Sequence, residues 1–300
     1  MTKVSAWISA ARLRTLPLSI SGILGAGAVA VKNDVFVLPV LVFALLTTLG
    51  FQILSNFAND YGDGIKGTDN EHRVGPKRAL QSGLLTAKEL KKGMIVTAVI
   101  TLFLASLLIF TAFGNQHMLL SFIFFNLGIA AIIAAVKYTV GANAYGYRAM
   151  GDVFVFLFFG LVGVVGCYFL FAKNFNGYVF LPAIAIGFMS TAVLNLNNMR
   201  DRVQDAKVNK NTLAVVLGPK RVKTYHAFLI VTSFLAAGGY LFLSEAPVLQ
   251  YISLIAFIPL FLNLVTVFKN NEPASLDPEL KKVALSTFLF AVLLFTTSFF

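Results

Sequence analysis

"FVLPVLVFALLTTLGFQILSNFANDYGD", residues 36–63, decides how the chain is read. Its apolar part, 36–57, carries no charged side chain. It is long enough to cross a bilayer as a helix, which takes about 20 residues. No turn signal separates this run from Asn59, Asp60 and Asp63. If the helix continues past the membrane, Asp60 and Asp63, three residues apart, share one face. A spanning helix that ends in carboxylates is the first expectation.

Working outward, apolar runs recur at 15–33, 93–113, 118–136, 151–171, 179–199, 225–244, 249–268 and 283–300. Composition agrees: of 300 residues 58% are hydrophobic, 30 are Phe and only 12% are charged. Such a chain exceeds what a soluble core needs. The expected fold is an all-α polytopic membrane protein with nine transmembrane helices around a central cavity. Residues 1–300 read as one domain, with two related halves at about 1–115 and 116–225 and three C-terminal spans. The first run is long and Gly-rich, has no small-residue cleavage site and is followed at once by another span. It therefore reads as a span, not a removable signal. Cys167 lies inside a run, so no disulfide forms within one chain.

Charge gives orientation. With the N-terminus in the cytoplasm, all 24 Lys and Arg except Lys32 and Lys173 fall on the cytoplasmic side. That bias predicts N-in, C-out, and the net charge of +11 reads as topology. Nucleic acid is not an expected partner, because no basic soluble face or recognition module is visible.

A second acidic segment, "LNLNNMRDRVQDAKVNKNTLAVVLG" (194–218), begins where the sixth run ends. On a continuing helix Asn197, Asp201 and Asp205 form one stripe. Two carboxylate faces at one membrane depth repel unless a cation lies between them. Hard oxygen ligands suit Mg²⁺, which keeps waters and bridges to substrate phosphates. Lys66, Arg73, Lys77, Arg78 and Lys210, with Arg200, Arg202 and Lys207, surround the acids and suit phosphate oxygens. One acidic cluster alone reads as a solvated loop. Two, at matching helix ends and flanked by Asn and Arg, read as a site for Mg²⁺ and a diphosphate at the membrane surface.

These residues carry a resemblance. "NDYGD" (59–63) followed by "NNMRDRVQD" (197–205) resembles the two aspartate-rich motifs of the UbiA superfamily of intramembrane prenyltransferases. The match narrows through "ARLRTLPLS" (11–19), "NDYGDGIKGTDNEHRVGPKRALQSG" (59–83), "YTVGANAYGYRAMGD" (138–152) and "NNMRDRVQDAKVNKNTLAVVLG" (197–218). Together they look like the 1,4-dihydroxy-2-naphthoate polyprenyltransferases (MenA type) from about residue 7 to 220. Leu13, Ala142 and Ala144 stand where these enzymes usually have Pro, and Asn209 where they have Gly. Asn tolerates the left-handed backbone that Gly adopts freely.

The resemblance implies transfer of a polyprenyl group from polyprenyl diphosphate to 1,4-dihydroxy-2-naphthoate, with loss of carbon dioxide, to give demethylmenaquinone. It implies a bacterial inner membrane and a cytoplasmic active site. It places Asp60, Asp63, Asp201 and Asp205 on Mg²⁺, helped by Asn59 and Asn197. It places Lys66, Arg73, Lys77, Arg78, Tyr138, Tyr147, Arg148 and Lys210 on the diphosphate or the naphthoate carboxylate. Arg14, Asp69 and Asp152 are further candidates. Tyr138 also fits an ordinary interface belt, and Asp152 an ordinary helix-start charge.

Other functions fit less well. On the shared aspartates alone, a relative prenylating 4-hydroxybenzoate or haem remains open. A secondary transporter needs charge near the bilayer midplane, and the middles of these runs hold no Asp, Glu, Lys or Arg. A CDP-alcohol phosphotransferase needs Asp-Gly-x-x-Ala-Arg, but Asp63-Gly64 is followed by Ile65, Lys66, Gly67 and Thr68. His72 and His226 read as solvated, and Asp277, in "NEPASLDPEL" (271–280), as a polar turn without a partner. Ser21, Gly25, Gly160, Gly163 and Gly166 offer close helix approach or, equally, room for the isoprenoid.

Overall fold

The structure, a computed structural model, describes residues 2–69 and 77–300, apart from the side chain of Arg14. Ten helices order the described residues: α1 Lys3–Ala11, α2 Leu16–Lys32, α3 Leu38–Ile65, α4 Ala87–Phe113 and α5 Met118–Lys137; then α6 Gly151–Ala172, α7 Phe180–Lys207, α8 Leu213–Leu243, α9 Val248–Lys269 and α10 Asp277–Thr297. No strand occurs among the described residues. The eight from α3 onward are long and apolar enough to span a membrane, and α1 with α2, bent by 43°, makes a ninth candidate. Each apolar run expected from sequence coincides with one helix, and the chain is a multi-pass membrane protein. All of α5 lies at the periphery, with no buried residue.

Helix length positions the site. Both α3 and α7 contain 28 residues, about 42 Å at 1.5 Å per residue. The hydrocarbon core is about 30 Å thick. Each helix therefore exceeds the core by about two turns, and the C-terminal turns of both carry the two acidic segments.

Local signals set the ends. Thr86 caps α4 with a reciprocal box: its hydroxyl accepts from Glu89 N and the Glu89 carboxylate accepts from Thr86 N. The Thr212 hydroxyl accepts from Val215 N at the start of α8. Within α8, Gly218 takes φ 73° just before Pro219, so the helix breaks there and restarts.

The centre is packed through small residues. Over Phe156–Gly166, α6 is π-helical. A Cβ on Gly160 would stand 2.7 Å from Ala183 O of α7, and one on Gly22 of α2 would stand 2.8 Å from Phe159 O. Gly25 meets Ile186 as closely. Gly160, Gly163 and Gly25 thus serve packing as expected, whereas Gly166 has ordinary clearance.

His226 departs from expectation. It is fully buried, its Nε2 2.8 Å from Asn263 Oδ1 and its Nδ1 3.3 Å from Asn195 Nδ2. Asn263 in turn donates to Glu279 at 2.6 Å. A polar chain therefore links α7, α8, α9 and α10. Sequence placed His226 near a helix end and could not show which face turned inward.

Candidate functional site

The ends of α3 and α7 meet three loops: 77–86, 138–150 and 208–212. The C-terminus of α1 joins them. Asn56 of α3 donates to Ala11 O at 2.8 Å and fixes that end. Arg12 then takes a left-handed conformation, φ 53° and ψ 57°, and its guanidinium donates to Asp60 Oδ1 at 2.6 Å. Arg78 approaches the same oxygen at 3.6 Å and Asp69 at 3.9 Å. Asp60 and Asp69 are both buried. Buried carboxylates matched to guanidinium groups are charge-assisted pairs, stronger than neutral hydrogen bonds.

One helical turn on, Asp63 is buried as well. It accepts from Tyr147 OH at 2.7 Å, and that hydroxyl lies 2.6 Å from Thr68 Oγ1. Lys210, from the loop after α7, brings its Nζ 3.5 Å from Asp63 and 3.9 Å from Asp205. A carboxylate from each acidic segment therefore shares one ammonium, and the two segments face each other. Burial alone pulls Lys210 down, but Asp63 and Asp205 outweigh it and hold its pKa above the ordinary lysine value. Lys66 lies 4.0 Å above the Tyr147 ring; burial lowers its pKa, partly offset by Asp63. Burial, then Asp63, raises the Tyr147 phenol.

Asp201 faces elsewhere. Arg200 clasps it with Nε and Nη2 at 2.8 and 2.7 Å, reaches Asn197 at 2.8 Å, and donates through Nη1 to Asp277 at 2.5 Å. Asp277 is thus not the unpartnered turn residue expected from its Pro-flanked surroundings. Asn59 accepts from Thr139 Oγ1 at 3.2 Å. Tyr138 packs edge-on against Tyr145, and burial followed by Asp152 raises its phenol. Asp152 is buried, with the Tyr225 hydroxyl beside its carboxylate.

Arg148 is exposed, its side chain on Asn143, and the following residue bonds Asn211 O through Ala149 N at 2.7 Å. That pairing seats the loop of Tyr147 against the loop of Lys210. Asn209 in the latter adopts φ 55°, the left-handed backbone expected there. A cleft of about 420 Å³ opens beside Tyr147, lined by Lys66, Thr68, Arg148, Asn209 and Asn211 among others. Lys77 is exposed. Arg73 and the side chain of Arg14 lie outside the described residues. Sequence reasoning missed Arg12, although it stands in the quoted stretch 11–19 beside the chosen Arg14. It also missed Thr68, Thr139 and Asp277, whose roles depend on tertiary contact.

Among the described residues no three acidic, His or Cys side chains converge on one point. The acids are turned toward basic partners instead. Hard, buried carboxylate oxygens with amide helpers nonetheless fit Mg²⁺, which typically uses one or two carboxylates and completes its shell with phosphate and water.

Long helices, buried paired acids at two helix ends and a basic rim define an intramembrane enzyme for an anionic substrate. The UbiA prenyltransferase family model matches residues 19–297, and the chain belongs to that family. It is 40% identical over 293 residues to the 1,4-dihydroxy-2-naphthoate octaprenyltransferase of Haemophilus influenzae, covering 97% of this chain and 94% of that one. Identity to the Escherichia coli protein of the same name is 37% over 290 residues, 96% and 93% of the two chains. Among solved structures, a UbiA homologue from Aeropyrum pernix K1 matches with TM-score 0.67 over 90% of this chain and 96% of that one, at 13% identity. A UbiA homologue from Archaeoglobus fulgidus, bound to GPP and Mg²⁺, matches with TM-score 0.64 over 95% and 98%, at 18% identity. These two likenesses concern the fold.

Proposed function

We propose that the protein transfers a polyprenyl group from polyprenyl diphosphate to 1,4-dihydroxy-2-naphthoate, with loss of carbon dioxide, in menaquinone biosynthesis. The observation that carries this reading is the shared ammonium of Lys210 between Asp63 and Asp205. It brings both acidic segments to one place, where a metal–diphosphate headgroup can replace or join the lysine. Relatives 40% and 37% identical over nearly their whole length support the choice of acceptor.

Asp60, Asp63, Asp201 and Asp205, with Asn59 and Asn197, are the residues that would hold Mg²⁺. When bound, Mg²⁺ neutralises diphosphate oxygens, where negative charge grows as the carbon–oxygen bond breaks. Arg12 and Arg78 release from Asp60 to bind oxygens of the same group. Lys66 and Lys210, held around Tyr147, approach the diphosphate from the cleft side. The isoprenoid tail lies between helices, and the allylic cation attacks the ring carbon that carries the carboxylate. That carboxylate needs a fixed pose while its carbon reacts, which a cation beside the diphosphate provides. Lys77, Tyr138 and Arg148 remain substrate-binding candidates at the same membrane face, and Arg73 remains one from the sequence. We place that face in the cytoplasm of a bacterial inner membrane, from the Lys and Arg bias.

Purified protein given Mg²⁺, a polyprenyl diphosphate and each aromatic acid in turn tests the reading. Prenylation of the naphthoate supports it. Prenylation of 4-hydroxybenzoate alone rejects the acceptor but keeps the metal–diphosphate chemistry.

A further inference from the structure

Arg200 is held by two carboxylates from different parts of the chain. Asp201 on α7 takes its Nε and Nη2, and Asp277 at the start of α10 takes its Nη1. Only 3% of the Arg200 side chain is exposed, against 12% for Asp201 and 47% for Asp277. The segment that presents Asp277 is anchored on both sides. Leu276 is buried, and Glu279 is buried and bonded to Asn263.

This arrangement conflicts with a cation on Asp201. One guanidinium spans both Asp201 oxygens and its positive charge opposes a cation there, so Asp201 turns fully to a metal when Arg200 lets go. A buried guanidinium that loses its sole carboxylate becomes an uncompensated buried charge, a strongly unfavourable state. Asp277 removes that obstacle. It is already bonded to Arg200 through a nitrogen that Asp201 does not use, and Asn197 holds Nη2.

We propose that Asp277 is a positioning residue of the active site: it keeps Arg200 compensated so that Asp201 can exchange the arginine for a divalent cation. The last helix is thereby part of the site, although no motif in it announces such a role. This inference rests on the metal reading above.

Direct binding of Mn²⁺ to the purified full-length protein, with inorganic diphosphate present, tests it by the electron paramagnetic resonance signal of free Mn²⁺. Asp277→Asn should bind Mn²⁺ about three- to tenfold more weakly than the wild type, in the range of coupled neighbouring groups. Asp277→Glu should stay near the wild type. Arg200→Gln should bind at least as tightly as the wild type, and Asp277→Asn should have no further effect in that background. Unchanged affinity in Asp277→Asn overturns the inference. So does an equal loss in the Arg200→Gln background, which is what misfolding or a general charge effect gives. No saturable binding by the wild type overturns the metal reading and this inference with it.

Discussion

Lys210 Nζ lies 3.5 Å from Asp63 Oδ2 and so joins the loop after α7 to the end of α3. Lys210→Met removes the cation that Asp63 and Asp205 share. Breaking a buried pair by deleting one partner costs about 3–5 kcal/mol, so the metal-free protein should melt several degrees lower, and Mg²⁺ with diphosphate should recover part of the loss. Because the folded-state pKa of Lys210 is raised, its contribution is complete below the ordinary value of 10.5 and fades as pH climbs through the higher folded value. Melting curves of both proteins across pH should keep a constant gap from about pH 6 to 9, closing only above about 10.5. A gap that closes near neutrality would show that Lys210 is not held charged by these acids.

Tyr147 has two jobs that mutation separates. Tyr147→Phe deletes the hydroxyl that bonds Asp63 and Thr68 but keeps the ring under Lys66. A hydrogen bond to a charged group contributes about 1.5–3 kcal/mol, so kcat/KM should fall roughly tenfold or more. Tyr147→Ala loses the cation–π contact as well and should fall further. Equal rates for Phe and Ala would mean that the ring contributes nothing.

Much of this was legible beforehand, for physical reasons. Membrane spans leave a long, one-dimensional signal, so 36–57 and its counterparts marked α2 to α10 without knowledge of contacts. Asp60, Asp63, Asp201 and Asp205 stood out because charge is rare in such a chain. Arg12 did not, since its place on Asp60 depends on a left-handed residue and on Asn56 holding the end of α1. His226 and Asp277 looked peripheral because local polarity says nothing of which helix packs opposite. Asp277 shares the Arg200 guanidinium with Asp201, a contact across 77 residues that its Pro-flanked surroundings do not reveal.

Asp152 is a buried acid beside the Tyr225 hydroxyl. Unlike Asp60, Asp63, Asp201 and Asp205, no basic side chain among the described residues pairs with it within 4 Å. Asp152→Asn keeps the shape and removes the charge. Stability should hold or rise, because burying an unpaired charge is unfavourable, while kcat should drop at least about tenfold if the carboxylate serves the substrate. Unchanged kcat with raised stability would reduce Asp152 to a helix-start residue.

Gly160 marks a close approach of α6 to α7. Gly160→Ala places a methyl 2.7 Å from Ala183 O, against backbone that cannot move aside cheaply. Overpacking of this kind costs about 1–3 kcal/mol. A lower melting temperature in detergent is expected, with a smaller effect for Gly166→Ala, whose neighbours stand 3.8 Å away or more. The reverse order would argue against the α6–α7 crossing.

In the proposed reaction the two acidic segments act together, through metal and diphosphate, on a naphthoate that loses its carboxyl group. One measurement tests it most directly: 1,4-dihydroxy-2-naphthoate labelled at the carboxyl carbon, incubated with purified protein and a polyprenyl diphosphate, with Mg²⁺ or with chelator. Labelled carbon dioxide should appear in step with prenylated product when Mg²⁺ is present, and neither should form in chelator. Prenylated product that retains the label, or full turnover in chelator, would contradict it.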